Sequence, residues 1–210
     1  WTQDGNEWTG TIRITEDGTY VIRISYMDRS GNNMPDYQSE RIVIDRAAPR
    51  IDRYEFTPDT ADSSSDASDF VEALEYGYYF KTEFTVNIYT SDSTPSSGLD
   101  RIEYRLVSYE NGAIQGEITD SLPVVNGMAG LVVPAGFKGQ IFARSCDIAG
   151  NCSGEVTPKA FVVDKTAPVI EIADDNATEY RDGEGNPLYV NDVNITVTIM
   201  DYVSGIRRIG

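Results

Sequence analysis

Apolar and polar residues alternate with a period of two along most of this chain, in short runs broken by turn residues. Residues 8 to 15 alternate and predict a strand, and Asp17-Gly18 a turn. Thr19 to Met27 alternate again, carrying Val21/Ile22, Ile24 and Tyr26; Asp28 to Asn33 is a turn, and Ser39 to Asp45 a third strand. Phe80 to Ile88 reads as a strand that ends at Asp92, and residues 101–107 and 114–119 supply more. Tyr189 to Ile199 reads as another, ending at Asp201. The stretch Pro58 to Asp69 is rich in serine and aspartate and reads as a loop. Phe70-Val-Glu-Ala-Leu-Glu could make one helical turn within it, and Arg181 to Pro187 reads as the equivalent loop further on.

The pattern repeats. Ile42-Val43-Ile44-Asp45 leads through a polar hinge to Pro49, and Phe161-Val162-Val163-Asp164 leads through another to Pro168, 119 residues later. Proline cannot donate to a strand ladder and forces the residue before it into extended geometry. Each copy therefore reads as the last strand of one domain, a stiff linker and the first strand of the next. Asp28-x-x-Gly31-Asn32 recurs as Asp147-x-x-Gly150-Asn151 at the same offset of 119. Phe80 to Ile88, with Asp92 and Ser97-Gly98, recurs as Tyr189 to Ile199, with Asp201 and Ser204-Gly205. Three segments result: 1–47, the carboxy-terminal half of a unit (strands E, F and G); 48–165, a complete unit; and 166–210, the amino-terminal half of another (strands A, B and C). About seven strands without helical pattern make the middle unit an antiparallel sandwich. Phe84, Val86 and Ile88 on strand B should face Ile102, Tyr104 and Leu106 on strand C and Ile141 and Ala143 on strand F.

Charge narrows the partners. A net charge of −17 disfavours nucleic acid and anionic membrane surfaces and leaves room for cations. The chain has no histidine, which removes Ser-His-Asp and Cys-His nucleophiles and the usual zinc ligand. No apolar run is long enough to span a membrane. Without an initiator methionine or signal peptide, and with the pattern cut at both ends, the chain reads as a fragment. Nothing suggests a cleft between two carboxyls, so catalysis is not expected. Three sequons, at Asn151, Asn176 and Asn194, read as chance matches, and a Lys–Asn isopeptide bond from Lys81 is not expected.

Strand, Asp-x-x-Gly-Asn, strand, Val-Asp-Lys-Thr-Ala-Pro, strand resembles the bacterial Ig-like repeats of large cell-surface proteins and adhesins. The resemblance implies an all-β fold of tandem immunoglobulin-like antiparallel β-sandwiches outside the cell. It implies a non-catalytic stalk that carries a binding domain elsewhere, with neighbouring repeats as partners and a host protein or glycan reached through other domains. Some members of that family bind calcium at domain junctions. In such a sandwich the loops after strands B and F lie where strand A enters. Asp92, Asp147 and Asn151 should then converge with Asp45 at one junction, and Asp164 should meet Asp201 at the next. Calcium takes six to eight oxygens, and these side chains could begin such a shell as a Ca2+ site. The plainer alternative is that Asp-x-x-Gly-Asn is only a turn, with aspartate capping backbone N–H groups and glycine at positive φ. No EF-hand spacing is present.

Cys146 and Cys152 bracket the same turn. Facing ends of a hairpin come within disulfide reach, which favours an oxidising compartment; two reduced thiols are the alternative. Tyr76, Tyr78 and Tyr79 form the aromatic-rich stretch that could present a platform to a glycan or protein. That would make the chain an adhesive or carbohydrate-binding module, or an accessory domain of a secreted glycoside hydrolase. The same rings otherwise begin strand B, with half of them in the core.

Overall fold

The computed structural model describes residues 1–57, 76–110, 112–174, 180–188 and 192–206. The Pro58–Asp69 loop and the helical turn expected from Phe70 lie outside them. The amino-terminal segment holds six short strands: β1 (Thr2–Asp4), β2 (Glu7–Thr9), β3 (Gly18–Tyr20), β4 (Arg23–Ile24), β5 (Tyr37–Gln38) and β6 (Ile42–Ile44). The middle segment holds β7 (Arg50–Thr57), β8 (Tyr76–Phe80), β9 (Phe84–Ser91), β10 (Leu99–Glu110), β11 (Ala113–Pro123), β12 (Met128–Val133), β13 (Lys138–Asp147) and β14 (Ala160–Val163). Beyond it lie β15 (Val169–Asp174) and β16 (Ile195–Met200). The described residues contain no helix.

The middle segment builds two sheets, one ordered β12-β9-β7 and the other β11-β10-β13-β14-β8. All pairings are antiparallel except β14 with β8. Alternation decides what faces inward. Along β9 every second residue from Phe84 to Thr90 is buried, and β12 and β13 repeat the pattern with Leu131, Val133, Ile141 and Ala143. These side chains share one core with Ile102, Tyr104 and Leu106 from β10 and with Phe161 and Val163 from β14. The rings of Phe56, Tyr78, Phe80, Phe84 and Phe161 interlock at one end of that core. Gly139 sits where β13 crosses closest to β10: a Cβ there would lie 2.0 Å from the Val107 carbonyl oxygen.

Three expected strands are corrected. Tyr76–Phe80 does not begin strand B; it is a separate strand, parallel to β14 in the five-stranded sheet, and the chain crosses to the other sheet through Lys81–Glu83. Residues 8–15 and 19–27 form only the fragments β2, β3 and β4, because the strands that would flank them are not in their sheets.

The outer segments nevertheless keep the register of the middle one. The pairs Thr19↔Val43 and Tyr20↔Ile42 recur 119 residues on as Lys138↔Val162 and Gly139↔Phe161. The pairs Ile24↔Tyr37 and Met27↔Asn33 recur as Ala143↔Val156 and Cys146↔Cys152. At the other end, Arg50↔Ser91 and Ile51↔Thr90 correspond to Val169↔Met200 and Ile170↔Ile199. The middle pair then shifts register between Ile51 and Arg53, and the later pair runs on without a shift.

Phe161 is fully buried and touches four aromatic rings. Phe161→Ala should therefore cost about 3–5 kcal/mol of unfolding free energy through lost burial and a residual cavity. Val132→Ala, on the outward face of β12, should change it by less than about 0.5 kcal/mol. Chemical denaturation of both variants checks the assignment of inward and outward faces.

Candidate functional site

The Asp-x-x-Gly-Asn turn is built by its own side chains. In residues 147–151 the Asp147 carboxylate accepts the Asn151 backbone N–H at Oδ1 and the Asn151 side-chain amide at Oδ2, both at 2.8 Å. Gly150 supplies the positive φ, +93°, that closes the hairpin. Asp28 and Asn32 form the same turn, with Gly31 at φ +85°. So do Asp182 and Asn186, with Gly185 at +91°. This third copy falls in the stretch Arg181 to Pro187, read from sequence only as a loop; Asp182-Gly-Glu-Gly-Asn186 carries the motif in full. At Asp28 and Asp182 the asparagine side-chain amide is the leading cause holding the carboxyl below its ordinary range.

The middle copy does more. The Asn151 side-chain amide also donates to the Asp45 backbone carbonyl, at 3.0 Å. The Asp45 carboxylate in turn accepts the Ala47 N–H at Oδ1 and the Ser97 N–H at Oδ2. Hydrogen bonds, led by the Ser97 N–H, hold the Asp45 carboxyl below the usual carboxylate range. Asp92 accepts the Ser93 N–H and the Ser96 hydroxyl. Oxygens of Asp45, Asp92 and Asp147 lie within 4.8 Å of one another; Asp45 and Asp147 are buried and Asp92 is half-buried. The structure thus gathers all four residues expected at this junction. The partners described for the three carboxylates are N–H groups, hydroxyls and an amide, with no lysine or arginine among them. Hard anionic oxygens are the donors that calcium takes, and the three carboxylates with the half-buried serine hydroxyls beside them fit the start of such a shell.

The second junction is a simpler version. Asp164 accepts the Thr166 N–H and hydroxyl at Oδ1 and the Ser204 hydroxyl at Oδ2. Burial is the largest single influence on Asp164 and pushes its carboxyl up, but the bonds from Thr166 and Ser204 together outweigh it and leave it below the ordinary value. Asp201 does not touch Asp164 directly. It caps the N–H groups of Val203, Ser204 and Gly205, and so positions the serine that does. Val203 also packs, as Tyr79 does, against Ala160 and Val162 on the outer face of β14. Ser97 and Ser204 are thus the junction residues that the sequence reading passed over. The signal was available, since a Ser-Gly pair follows both Asp92 and Asp201.

Cys146 and Cys152 are joined by a disulfide across a directly opposed strand pair. The flanking bonds, Asp147 N–H to Asn151 O and Ser153 N–H to Ser145 O, make it a non-hydrogen-bonded pair, the kind in which side chains come closest. Met27/Asn33 and Arg181/Pro187 hold the equivalent positions in the other two turns. Tyr78 stacks on Phe161 and Phe56, and Tyr79 packs against Ala160 and Val162. Both rings serve the packing of β8; the side chain of Tyr76 lies outside the described residues. Compared with protein-family models, curated proteins and solved structures, the chain matches none.

The depressed Asp45 carboxyl fixes the sign of a pH effect. A group whose folded pKa lies below its unfolded value, near 3.9, contributes stability that is fully present above that value and lost as pH falls through the folded one. Thermal unfolding should therefore be insensitive to Asp45 ionisation at neutral pH and lose its contribution below about pH 4. Asp45→Asn should lower the melting temperature at pH 7 and flatten the acid limb.

Proposed function

We propose that this chain is a non-catalytic spacer: a run of tandem Ig-like sandwiches in an extracellular bacterial surface protein, stiffened where one unit meets the next. The observation that carries the reading is that one clasp is built twice. After β6, Asp45 binds the N–H two residues on and then Ser97 of the next unit; after β14, Asp164 binds the N–H two residues on and then Ser204. A linker whose leading carboxylate also binds the next unit cannot swing freely. The sheet orders β12-β9-β7 and β11-β10-β13-β14-β8, with the first strand's edge passed from one sheet to the other at β8, support the Ig-like assignment. The disulfide supports an oxidising compartment. The shared register supports a division into units 1–47, 48–165 and 166–210. The packed state of Tyr78 and Tyr79 favours the spacer over a glycan- or protein-binding platform.

In this reading Asp45, Asp92 and Asp147 would hold a calcium ion, with Asn151 and the nearby serines around it, and the ion would supply the cation that the cluster lacks.

Stiffness is tested by distances. Spin labels at exposed Arg29 and Asp120 should report a narrow distribution that broadens in Asp45→Ala; equal widths in the two proteins would sink the spacer reading. Calcium is tested by melting in EDTA and in ten-millimolar calcium. A site in the range of extracellular modules, about 10⁻⁴–10⁻³ M, should add about 1.4–2.7 kcal/mol, lost in Asp147→Ala. No shift would leave the aspartates as turn caps only.

A further inference from the structure

β11 is an outer strand of the five-stranded sheet in the middle segment and, among the described residues, pairs only with β10. The phase of its ladder is fixed from two directions. The Val124 N–H donates to the Asp100 carbonyl, which marks these two as a hydrogen-bonded pair just beyond the end of β11. On the other side of β10, Cys146 is in a non-hydrogen-bonded pair with Cys152, so it directs its main chain toward Arg101 of β10. Ile102, Tyr104 and Leu106 then direct theirs toward β11. By either route the main-chain groups of Ile118, Asp120 and Leu122 face β10, and those of Glu117, Thr119 and Ser121 face the open edge. The Asp120 carboxylate takes the Ser121 N–H, so Glu117 and Thr119 form the centre of that edge. Between them, Ile118 continues the core face of Leu106, its partner on β10. Leu122, on the same face, packs against the core, but Ile118 is 59% exposed.

We propose that β11 pairs antiparallel with β11 of a second copy, about a two-fold axis through Ile118. Core-facing residues must meet core-facing ones, and edge-directed groups must meet edge-directed groups, so the axis passes through a residue and not between two. Charge then selects the residue. An axis through Glu117 or Asp120 sets carboxylate against carboxylate, and one through Thr119 sets Ile118 against Asp120. With the axis at Ile118, Glu117 exchanges both main-chain bonds with Thr119 of the second copy, and Asp120 stands opposite Gly116. Ile118 meets Ile118 at a non-hydrogen-bonded position, where side chains come closest. Each Glu117 already faces Arg105 and the Thr119 hydroxyl of its own chain, so its charge is answered before the strands meet. An open strand edge is a template for strand addition, and one whose sequence complements itself fits a second copy of this chain. The contact is isologous and closes at two chains, lying side by side. It uses none of the junction residues, so it stands or falls separately from the spacer reading. With a net charge of −17 per chain, added salt should strengthen the association by screening repulsion.

The test is sedimentation of the full chain in EDTA, from low micromolar to near-millimolar concentration. The weight-average mass should climb from 23.2 kDa toward that of two chains and level there. Thr119→Pro removes an N–H that points away from β10, and Ile118→Glu sets like charges across the axis, both at exposed positions. Each should abolish the association and leave the melting curve in dilute solution unchanged. Register is read by cross-linking under mild oxidation. Ile118→Cys should form a two-chain disulfide, and Ser121→Cys, whose two copies lie about 20 Å apart in this register, should not. A wild-type chain that stays monomeric overturns the proposal and leaves the edge to a strand of some other protein. So does an assembly that survives both Thr119→Pro and Ile118→Glu, and so does cross-linking that is equal at positions 118 and 121.

Discussion

Three carboxylates meeting within 4.8 Å of one another is the constraint around which the first junction is organised. Like charges gathered this closely repel one another unless something answers them. The local chain answers with six hydrogen bonds, two to each carboxylate. A hydrogen bond to a charged group contributes about 1.5–3 kcal/mol, more than one between neutral groups. The geometry of Ser93, Ser96, Ser97, Ala47 and Asn151 follows from that requirement. Each presents an N–H, a hydroxyl or an amide toward a carboxylate, and most come from the backbone of a turn. The hinge is therefore fixed by donors from two segments at once.

The Asp-x-x-Gly-Asn turn shows how a local device becomes a junction. All three copies satisfy the aspartate with the same asparagine, and two of them do so in the open, without a core beneath. The turn therefore forms without the disulfide. What sets the middle copy apart is that its asparagine also reaches the Asp45 carbonyl, and it is this copy that carries Cys146 and Cys152. The cross-link sits where a small displacement of the hairpin would break a contact between segments.

Much of this was legible in the sequence because the governing signals are local. Alternation along β9 and β10 gave the core faces of Phe84, Val86, Ile88, Ile102 and Leu106, and constant spacing gave the joints at Asp45 and Asp164. What was not legible depends on distant partners. Tyr76 to Phe80 looks like the start of the next strand because nothing in the five residues says that they pair with Ala160 to Val163, some eighty residues on and in parallel. Ser97 and Ser204 look like turn residues until the hinge carboxylate arrives from another segment. The strands expected at 8–15 and 19–27 had the right pattern, but alternation predicts which face is buried only when something is present to bury it.

The incomplete segments also separate two causes that usually act together. In the middle segment, register could be attributed to the core, since a one-residue slip would turn every apolar side chain outward. In residues 18–44 much of that core is absent, yet Tyr20 still pairs with Ile42 and Ile24 with Tyr37, as Gly139 does with Phe161 and Ala143 with Val156. The element both hairpins share is the turn, with its aspartate, left-handed glycine and asparagine. Register in this hairpin is thus set from the turn outward, by side-chain to backbone bonds spanning four residues. Burial then acts on a pairing that already exists.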